Sequence, residues 1–377
     1  MILSQEQRMI RDSVRAFAAE RLAPNAARWD RECFFPREAL NEMAAMGLFG
    51  VTIPEKWGGA ELDYVSLALA LEEIAAGDGA TSTILSVQTL VCNIFNGYAN
   101  DAQKGDFLKP LAQGRMLGCF CLTEPHTGSD ASAITTRAER QRDHYVLNGV
   151  KQFITTGKNA DVAVVFAVTD KAAGKKGIST LIVPTDAPGY VVTHIEEKLG
   201  QHASDTAQIA FENCRVPASN LLGAEGAGYR IALSNLEGGR ICIAAKAVGM
   251  ARAAFEAALR YAHERSTFGK PIIEHQAVNF RLADMATQIE VARQMVLHAA
   301  TLRDAALPCL KEASMAKLFA SEMAERVCSD AIQIHGGYGY VNDFPVERIY
   351  RDVRVAQIYE GASDIQRMVI GRALAGQ

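Results

Sequence analysis

HYVLNGVKQFITTG, residues 144–157, marks the point where the chain stops reading as helix and begins reading as strand. The stretch is rich in Val, Ile, Phe and Thr, and Asn148-Gly149 at its middle predicts a tight hairpin turn between two short strands. Four more segments of the same texture follow: DVAVVFAVTD (161–170), STLIVPTD (179–186), GYVVTHIEE (189–197) and TAQIAFENCRVP (206–217). Turn residues separate them. Residues 119–223 therefore read as a small all-β domain, a barrel or a sandwich.

Outward from this region the chain is helical on both sides. In residues 1–118, SQEQRMIRDSVRAFAAERLAP (4–24) places Met9, Val14, Phe17 and Leu22 on roughly one stripe, with Ser4 as N-cap. PREALNEMAAMGL (36–48) opens with Pro36 in the first-turn position and stops at Gly47. YVSLALALEEIAAGDG (64–79) is a largely apolar helix, and NDAQKGDFLKPLAQG (100–114) is a short one. Residues 224–377 carry four alanine-rich stripes, at 229–266, 275–305, 309–337 and 362–376. Their apolar residues recur at three and four positions, the pattern of a packed bundle. The order is helix, strand, helix: a multidomain α+β chain.

The 377 residues are long for one core, so two or three domains are expected. A net charge of -4 with no strongly basic stretch argues against a nucleic-acid face, so any anionic ligand must be held by local arginines. No apolar run is long enough to span a bilayer. The first residues lack a signal-peptide core, which points to the cytoplasm, or to the mitochondrial matrix if a transit peptide has been removed. The eight cysteines form no C-x-x-C pair and read as buried reduced thiols, and His275 and His335 have no partner at metal-ligand spacing.

Several polar motifs interrupt this pattern. CFCLTEPHTGSDASA (119–133) is a loop of small polar residues that either binds a ligand with its amides and hydroxyls or simply connects. In KQFITTG, strand alternation puts Phe153 and Thr155 on one side, an arrangement that serves core packing or stacking on a flat heterocycle. Arg240 follows two glycines in LEGGRICIAA. RSTFGKPIIEHQ (265–276) surrounds a Gly-Lys-Pro turn, and Gly336-Gly337 in IQIHGGYGY (332–340) permit close backbone approach. Glu360 stands between Tyr359 and Gly361 where an apolar run breaks off. It is either a solvated loop charge or a base held in a pocket.

Together TEPHTGSD, ITTG, GGR, RSTFGKPIIEHQ, IQIHGGYGY and IYEGASDIQR occur in the order and at about the spacing found in acyl-CoA dehydrogenases. The chain resembles that family nearly end to end, closest to its short-chain and isobutyryl-type branches. The resemblance implies an N-terminal helical domain (1–118), a middle β-barrel (119–223) and a C-terminal four-helix bundle (224–377). It implies FAD, a homotetramer built as a dimer of dimers, an acyl-CoA substrate converted to its trans-2-enoyl-CoA, and an electron-transfer flavoprotein as electron acceptor. Glu360 matches the catalytic base, and the position used by some branches instead is here Gly239, which cannot serve. Arg240 would support the site, with Glu237, Ser129, Tyr359 and Gly361 on the substrate. Phe120, Leu122, Thr123, Ser129, Phe153 and Thr155 match flavin contacts. Arg265, Thr267, Phe268, Gln276, Gln333, Gly336 and Gly337 match residues that hold the adenine half from a neighbouring subunit.

Two positions depart from the family pattern: Ala362 stands where threonine is common, and Asp364 where glutamine or glutamate is usual. Each puts one cofactor contact in doubt, and His126 is a milder variation. Two other readings remain open at this stage. One is a flavin oxidase or monooxygenase on the same scaffold. The other is a non-catalytic acyl-CoA-binding subunit.

Overall fold

The computed structural model describes residues 2–376. The N-terminal part holds α1 (Gln5–Phe17), α2 (Ala23–Glu32), α3 (Arg37–Ala45), α4 (Tyr64–Gly77) and α5 (Gly79–Tyr98). It ends in α6 (Asp101–Gln103), a π-helical turn (Lys104–Leu108) and α7 (Lys109–Ala112). Ser4 caps α1 as expected, in a reciprocal capping box with Gln7. Val14 and Leu22 are buried and Phe17 half-buried, but Met9 is 65% exposed and leaves the anticipated stripe. The buried face of α1 runs through Gln7 and Val14 instead.

The middle region forms one eight-stranded sheet in the order β6-β7-β3-β2-β4-β5-β8, with β1 paired parallel to β4. The strands are β1 (Gly118–Cys121), β2 (Arg137–Gln141), β3 (His144–Thr155), β4 (Val162–Val168), β5 (Ile178–Pro184), β6 (Tyr190–Ile195), β7 (Thr206–Pro217) and β8 (Leu221–Leu222). The sheet ends on β6 and β8, which do not pair with each other.

Asn148-Gly149 does not turn the chain. It lies inside β3, and the hairpin sits earlier, at Arg142-Asp143 between β2 and β3. The register against β7 slips between Leu147 and Gly149, so the pair makes a bulge rather than a turn. A Cβ on Gly149 would stand 2.5 Å from Thr136 Oγ1 and 2.6 Å from Thr136 Cα. Glycine is needed there for close backbone approach, the other common meaning of a glycine in a strand.

The last part opens with α8 (Gly228–Glu264), 37 residues long. Two short strands follow, β9 (Ser266–Thr267) and β10 (Lys270–Pro271), then α9 (Gln276–Asp304) and α10 (Leu310–His335). A short α11 (Val346–Val353), not anticipated from sequence, precedes α12 (Ser363–Leu374).

The first and last parts share one hydrophobic core. A single buried cluster runs from Val14 and Leu22 through α4 into α8, α9 and α10. Helix α4 is buried nearly all round, and a Cβ on Gly249 of α8 would lie 2.1 Å from Glu72 O of α4. Two buried carboxylates on α4 are neutralised from three sides. Glu72 meets Arg252 at 3.2 Å and Arg293 at 2.8 Å, while Glu73 meets Arg15 at 2.8 Å and Arg252 at 2.5 Å. A second cluster joins α5 and α7 to β4 and β5, and a third fills the interior of the sheet. Seven cysteines are buried and Cys33 is exposed, all of them free thiols.

Candidate active site

Glu360 lies in the turn between α11 and α12, in left-handed backbone with φ 54°, and Gly361 follows at φ 92°. Positive φ at a non-glycine residue is uncommon and costs of order 1–3 kcal/mol, so surrounding contacts must hold it. Gln366, fully buried on α12, does so: its Nε2 donates to Glu360 O at 3.2 Å and to Gly361 O at 2.8 Å. Lys317 Nζ of α10 donates to the same Gly361 O at 2.7 Å. The Glu360 amide donates to no acceptor within the described residues.

This turn sends the Glu360 carboxylate against α8. A Cβ on Gly239 would lie 2.8 Å from Glu360 Oε2, so no side chain at 239 is compatible with this placement. Oε2 is out of solvent and has no hydrogen-bond partner. Burial raises the Glu360 pKa, and Arg240, Lys246 and Lys317 oppose that rise. Arg240 is 5% exposed; its Nη1 donates to Ser314 Oγ at 3.4 Å while its Nε is buried without a partner. Burial pushes Lys317 down to about 8 despite Glu360. Glu237, one turn before Arg240 on α8, is half-buried and faces Arg303 at 3.6 Å.

Three side chains of this site were not anticipated. Lys246 and Lys317 are fully buried. Lys246 Nζ donates to Thr83 Oγ1 at 2.6 Å and to Tyr359 Oη at 3.1 Å. Their one mark in sequence is a basic residue in each of two apolar alanine-rich runs, ICIAAKAVGM (241–250) and SMAKLFA (314–320), which does not by itself say that it faces inward. Gln366 gave no signal of its own.

A second group of expected residues sits on the sheet. Phe120 and Leu122 are half-buried against the cluster under α5, and the Phe120 ring meets Phe166 edge-on at 5.0 Å. The next residues are tied to β3, where Gln152 N donates to Thr123 O at 2.9 Å and Lys151 Nζ to Leu122 O at 3.0 Å. Lys151 also pairs with Glu124 at 2.8 Å, both nearly inaccessible. Burial alone would raise Glu124, yet Lys151 and the Thr135–Thr136 amides hold its pKa down at about 2. Lys151 and Glu124 thus fix the start of the polar loop, on which Ser129 is exposed.

The simple alternation expected through Phe153 and Thr155 is interrupted. Phe153 has φ 58° in a second register shift of β3, and the residue is 61% exposed. Thr155 is half-buried, and the neighbouring Thr156 Oγ1 is buried with no partner.

A third group surrounds an open cavity of about 630 Å³ at the ends of α8 and α10. Arg265, Thr267, Gly336 and Gly337 line it with Tyr261 and His335. Gly336 has φ 58°, and neither it nor Gly337 has an atom within 4 Å of where a Cβ would stand. Phe268 is 97% exposed nearby, and Gln276 and Gln333 are exposed on α9 and α10. None of the sheet residues, and not Glu360, lines this cavity. His335 is structural: it stacks on Tyr261 at 4.4 Å, and its Nδ1 bonds Ala331 O at 2.8 Å.

The three-part α–β–α fold thus sets Glu360, with one carboxylate oxygen out of solvent, against the long helix α8, and leaves Phe153 exposed on the sheet. Models of the N-terminal, middle and C-terminal domains of acyl-CoA dehydrogenases match residues 4–115, 119–214 and 226–375. An acyl-CoA dehydrogenase of Bacillus subtilis is 48% identical over 377 residues, covering all of both chains. The short-chain specific acyl-CoA dehydrogenase of rat mitochondria is 44% identical over 98% of this chain and 90% of its own. Among solved structures, a chain from that of the electron transferring flavoprotein of Acidaminococcus fermentans is 44% identical and superposes with a TM-score of 0.98 over all of both chains. The chain belongs to the acyl-CoA dehydrogenase family, oxidoreductases that act on the CH–CH group of acyl-CoA with FAD. The residues present fit that cofactor. Phe153 offers a free aromatic face on the sheet, and Gly336-Gly337 leave an open cradle beside Arg265 and Thr267 for a polar end.

Proposed function

We propose that this enzyme dehydrogenates a short or short-branched acyl-CoA to the trans-2-enoyl-CoA, with Glu360 as the base, and passes the electrons to an electron-transfer flavoprotein. The observation that carries the reading is the Glu360 carboxylate, whose Oε2 is dry and unpartnered against a glycine that leaves it room. A solvated loop charge would have neither property.

The α-proton of a thioester is very weakly acidic, so a carboxylate needs help to remove it. Burial makes Glu360 a stronger base by disfavouring its charge. Its free amide can donate to the thioester carbonyl and stabilise the charge that develops as the proton leaves. Gln366 and Lys317 hold the two carbonyls beside it, so amide and carboxylate keep fixed directions. Arg240 and the two lysines keep the carboxylate ionised in a dry site, since without them burial would favour its protonated form. Glu237 and Ser129 are assigned to the CoA part. Bound FAD supplies the acceptor for the Cβ hydride.

Phe120, Leu122, Thr123, Ser129, Phe153 and Thr155 would hold the flavin end. Arg265, Thr267, Phe268, Gln276, Gln333, Gly336 and Gly337 would hold the adenine end of a neighbour's FAD in a homotetramer. Their separation within one chain supports this division. The similarity to short-chain relatives supports the short acyl chain, and that to the flavoprotein-associated chain supports the electron partner. The test is anaerobic bleaching of the bound flavin by acyl-CoAs of graded length and branching, with wild type and Glu360→Gln. Bleaching by short thioesters in wild type alone is expected. A Glu360→Gln enzyme that bleaches at the normal rate would show that another residue is the base.

A further inference from the structure

Three buried cations lie around Glu360, and Glu237 adds a second carboxylate on the Arg240 side. The hydrogen bonds of Arg240, Lys246 and Lys317 go to Ser314, to Thr83 and Tyr359, and to Gly361 O, all neutral groups. No carboxylate oxygen among the described residues lies within 4.0 Å of a nitrogen of any of them. Arg240 follows Gly239, which faces Glu360, and Lys317 bonds Gly361 O, so both adjoin the base. Lys246 is placed differently. It follows Arg240 by nearly two turns of α8, is completely buried, and points between α5 and the Tyr359 ring, whose centroid is 5.1 Å from Nζ. Glu360 acts on Lys246 only through space, and a buried ammonium whose hydrogen bonds all go to hydroxyls is costly, so proteins keep such a group where something else brings the opposite charge into contact.

The proton inventory says what that partner is. Lys246 has three N–H protons and uses two. Thr83 Oγ1 accepts from Lys246 because its own proton goes to Gln201 Oε1, 2.6 Å away. Tyr359 Oη also accepts from Lys246, and its O–H proton has no acceptor among the described residues. One ammonium N–H and one phenol O–H are therefore left over side by side, a pair of donors suited to the two oxygens of a carboxylate. Tyr359 is the residue before Glu360, so this pair of donors lies next to the base along the chain, and Lys246 acts on Glu360 through space.

We infer that the far end of the acyl pocket binds a carboxylate, and that the preferred substrate is the mono-CoA thioester of a dicarboxylic acid, its free carboxylate on Lys246 and Tyr359. This rests on the dehydrogenase reading above. The reaction is unchanged: the Cα proton goes to Glu360, the Cβ hydride to the flavin, a C=C bond forms, and the distal carboxylate is untouched.

Matched thioesters test it: butyryl- against succinyl-CoA, pentanoyl- against glutaryl-CoA, and hexanoyl- against adipyl-CoA, each reducing the holoenzyme anaerobically in stopped flow. At one length or more the dicarboxylic thioester is expected to win at least tenfold in rate over Kd. Lys246→Gln should reverse that ratio by more than tenfold, Lys246→Arg should keep part of it, and Tyr359→Phe should lower it. A merely structural lysine would slow both members of a pair alike. The inference is overturned if the unsubstituted thioester wins at every length, or if Lys246→Gln and Tyr359→Phe leave the ratio unmoved. If no thioester reduces the flavin, the dehydrogenase reading itself fails and the inference falls with it.

Discussion

Gly239 and Glu360 share one volume, and that exclusion is the sharpest fact at the scale of single residues. Adding one methyl group at 239 would put a Cβ 2.8 Å from Oε2 and force the carboxylate to move. Gly239→Ala is therefore expected to lower the rate of flavin reduction by one to two orders of magnitude, on the scale of a misplaced catalytic group. Flavin content should hold, because no proposed flavin contact adjoins residue 239. Stopped-flow reduction with the absorbance spectrum of the resting enzyme checks both. Arg240→Lys is expected to cost more in turnover than in flavin content, since a point charge does not copy the guanidinium. Steady-state kinetics beside flavin-to-protein absorbance ratios decide this. Glu360 was legible as a candidate because a lone carboxylate interrupts an apolar run. Lys246 and Lys317 were not. A basic residue every few positions is ordinary on an exposed helix, and only the packing of α8 and α10 shows that these two face inward.

At the scale of elements, the start of α1 could be read from its cap, because Ser4 acts within one turn of sequence. Asn148-Gly149 misled for the opposite reason. The role of Gly149 is set by Thr136, a partner thirteen positions earlier, so the local signal named the wrong use of the glycine. Gly149→Ala is expected to destabilise the sheet by about 1–3 kcal/mol through overpacking, measured as a lower midpoint in urea. Ala362, noted in sequence as a missing cofactor contact, occupies the N-cap of α12 and leaves it without a side-chain cap. Ala362→Thr should therefore stabilise the protein by about 0.5–2 kcal/mol, read as a raised melting temperature. Asp364 is exposed and meets Arg367 at 3.4 Å.

Across the whole molecule, the sheet is fastened to the helices through Gln201. Its Nε2 bonds Asp352 O at 2.9 Å, its amide bonds Asp352 Oδ1, and its Oε1 receives Thr83. Burial lifts the Asp352 pKa to about 7, with Arg348 opposing the rise and Asp78 adding to it. The folded protein thus holds this proton over a pH range where the unfolded chain has released it, and stability contributed here is lost as pH rises from about 4 to about 7. Asp352→Asn should flatten that slope in a series of melting temperatures taken across the range. Phe268 and Tyr340, at 97% and 88% exposed, are expected to lie in the proposed subunit contact. Charging both should yield smaller assemblies that lose flavin on gel filtration. The three-part order was plain in the sequence. The shared core of its first and last parts was not, because nothing local in α4 says which distant helix will cover it.

That shared core has a consequence during synthesis. Helix α4 leaves the ribosome greasy on every side, yet its cover, α8, is complete only at Glu264. At ordinary elongation rates the interval is on the order of 10–40 s. Throughout it the nascent chain carries an apolar rod without its main cover, with Glu72 lacking both of its arginines and Glu73 one of its two. The helical segment before the sheet should thus be insoluble when produced alone, and the full chain should lean on chaperones until its final third has emerged.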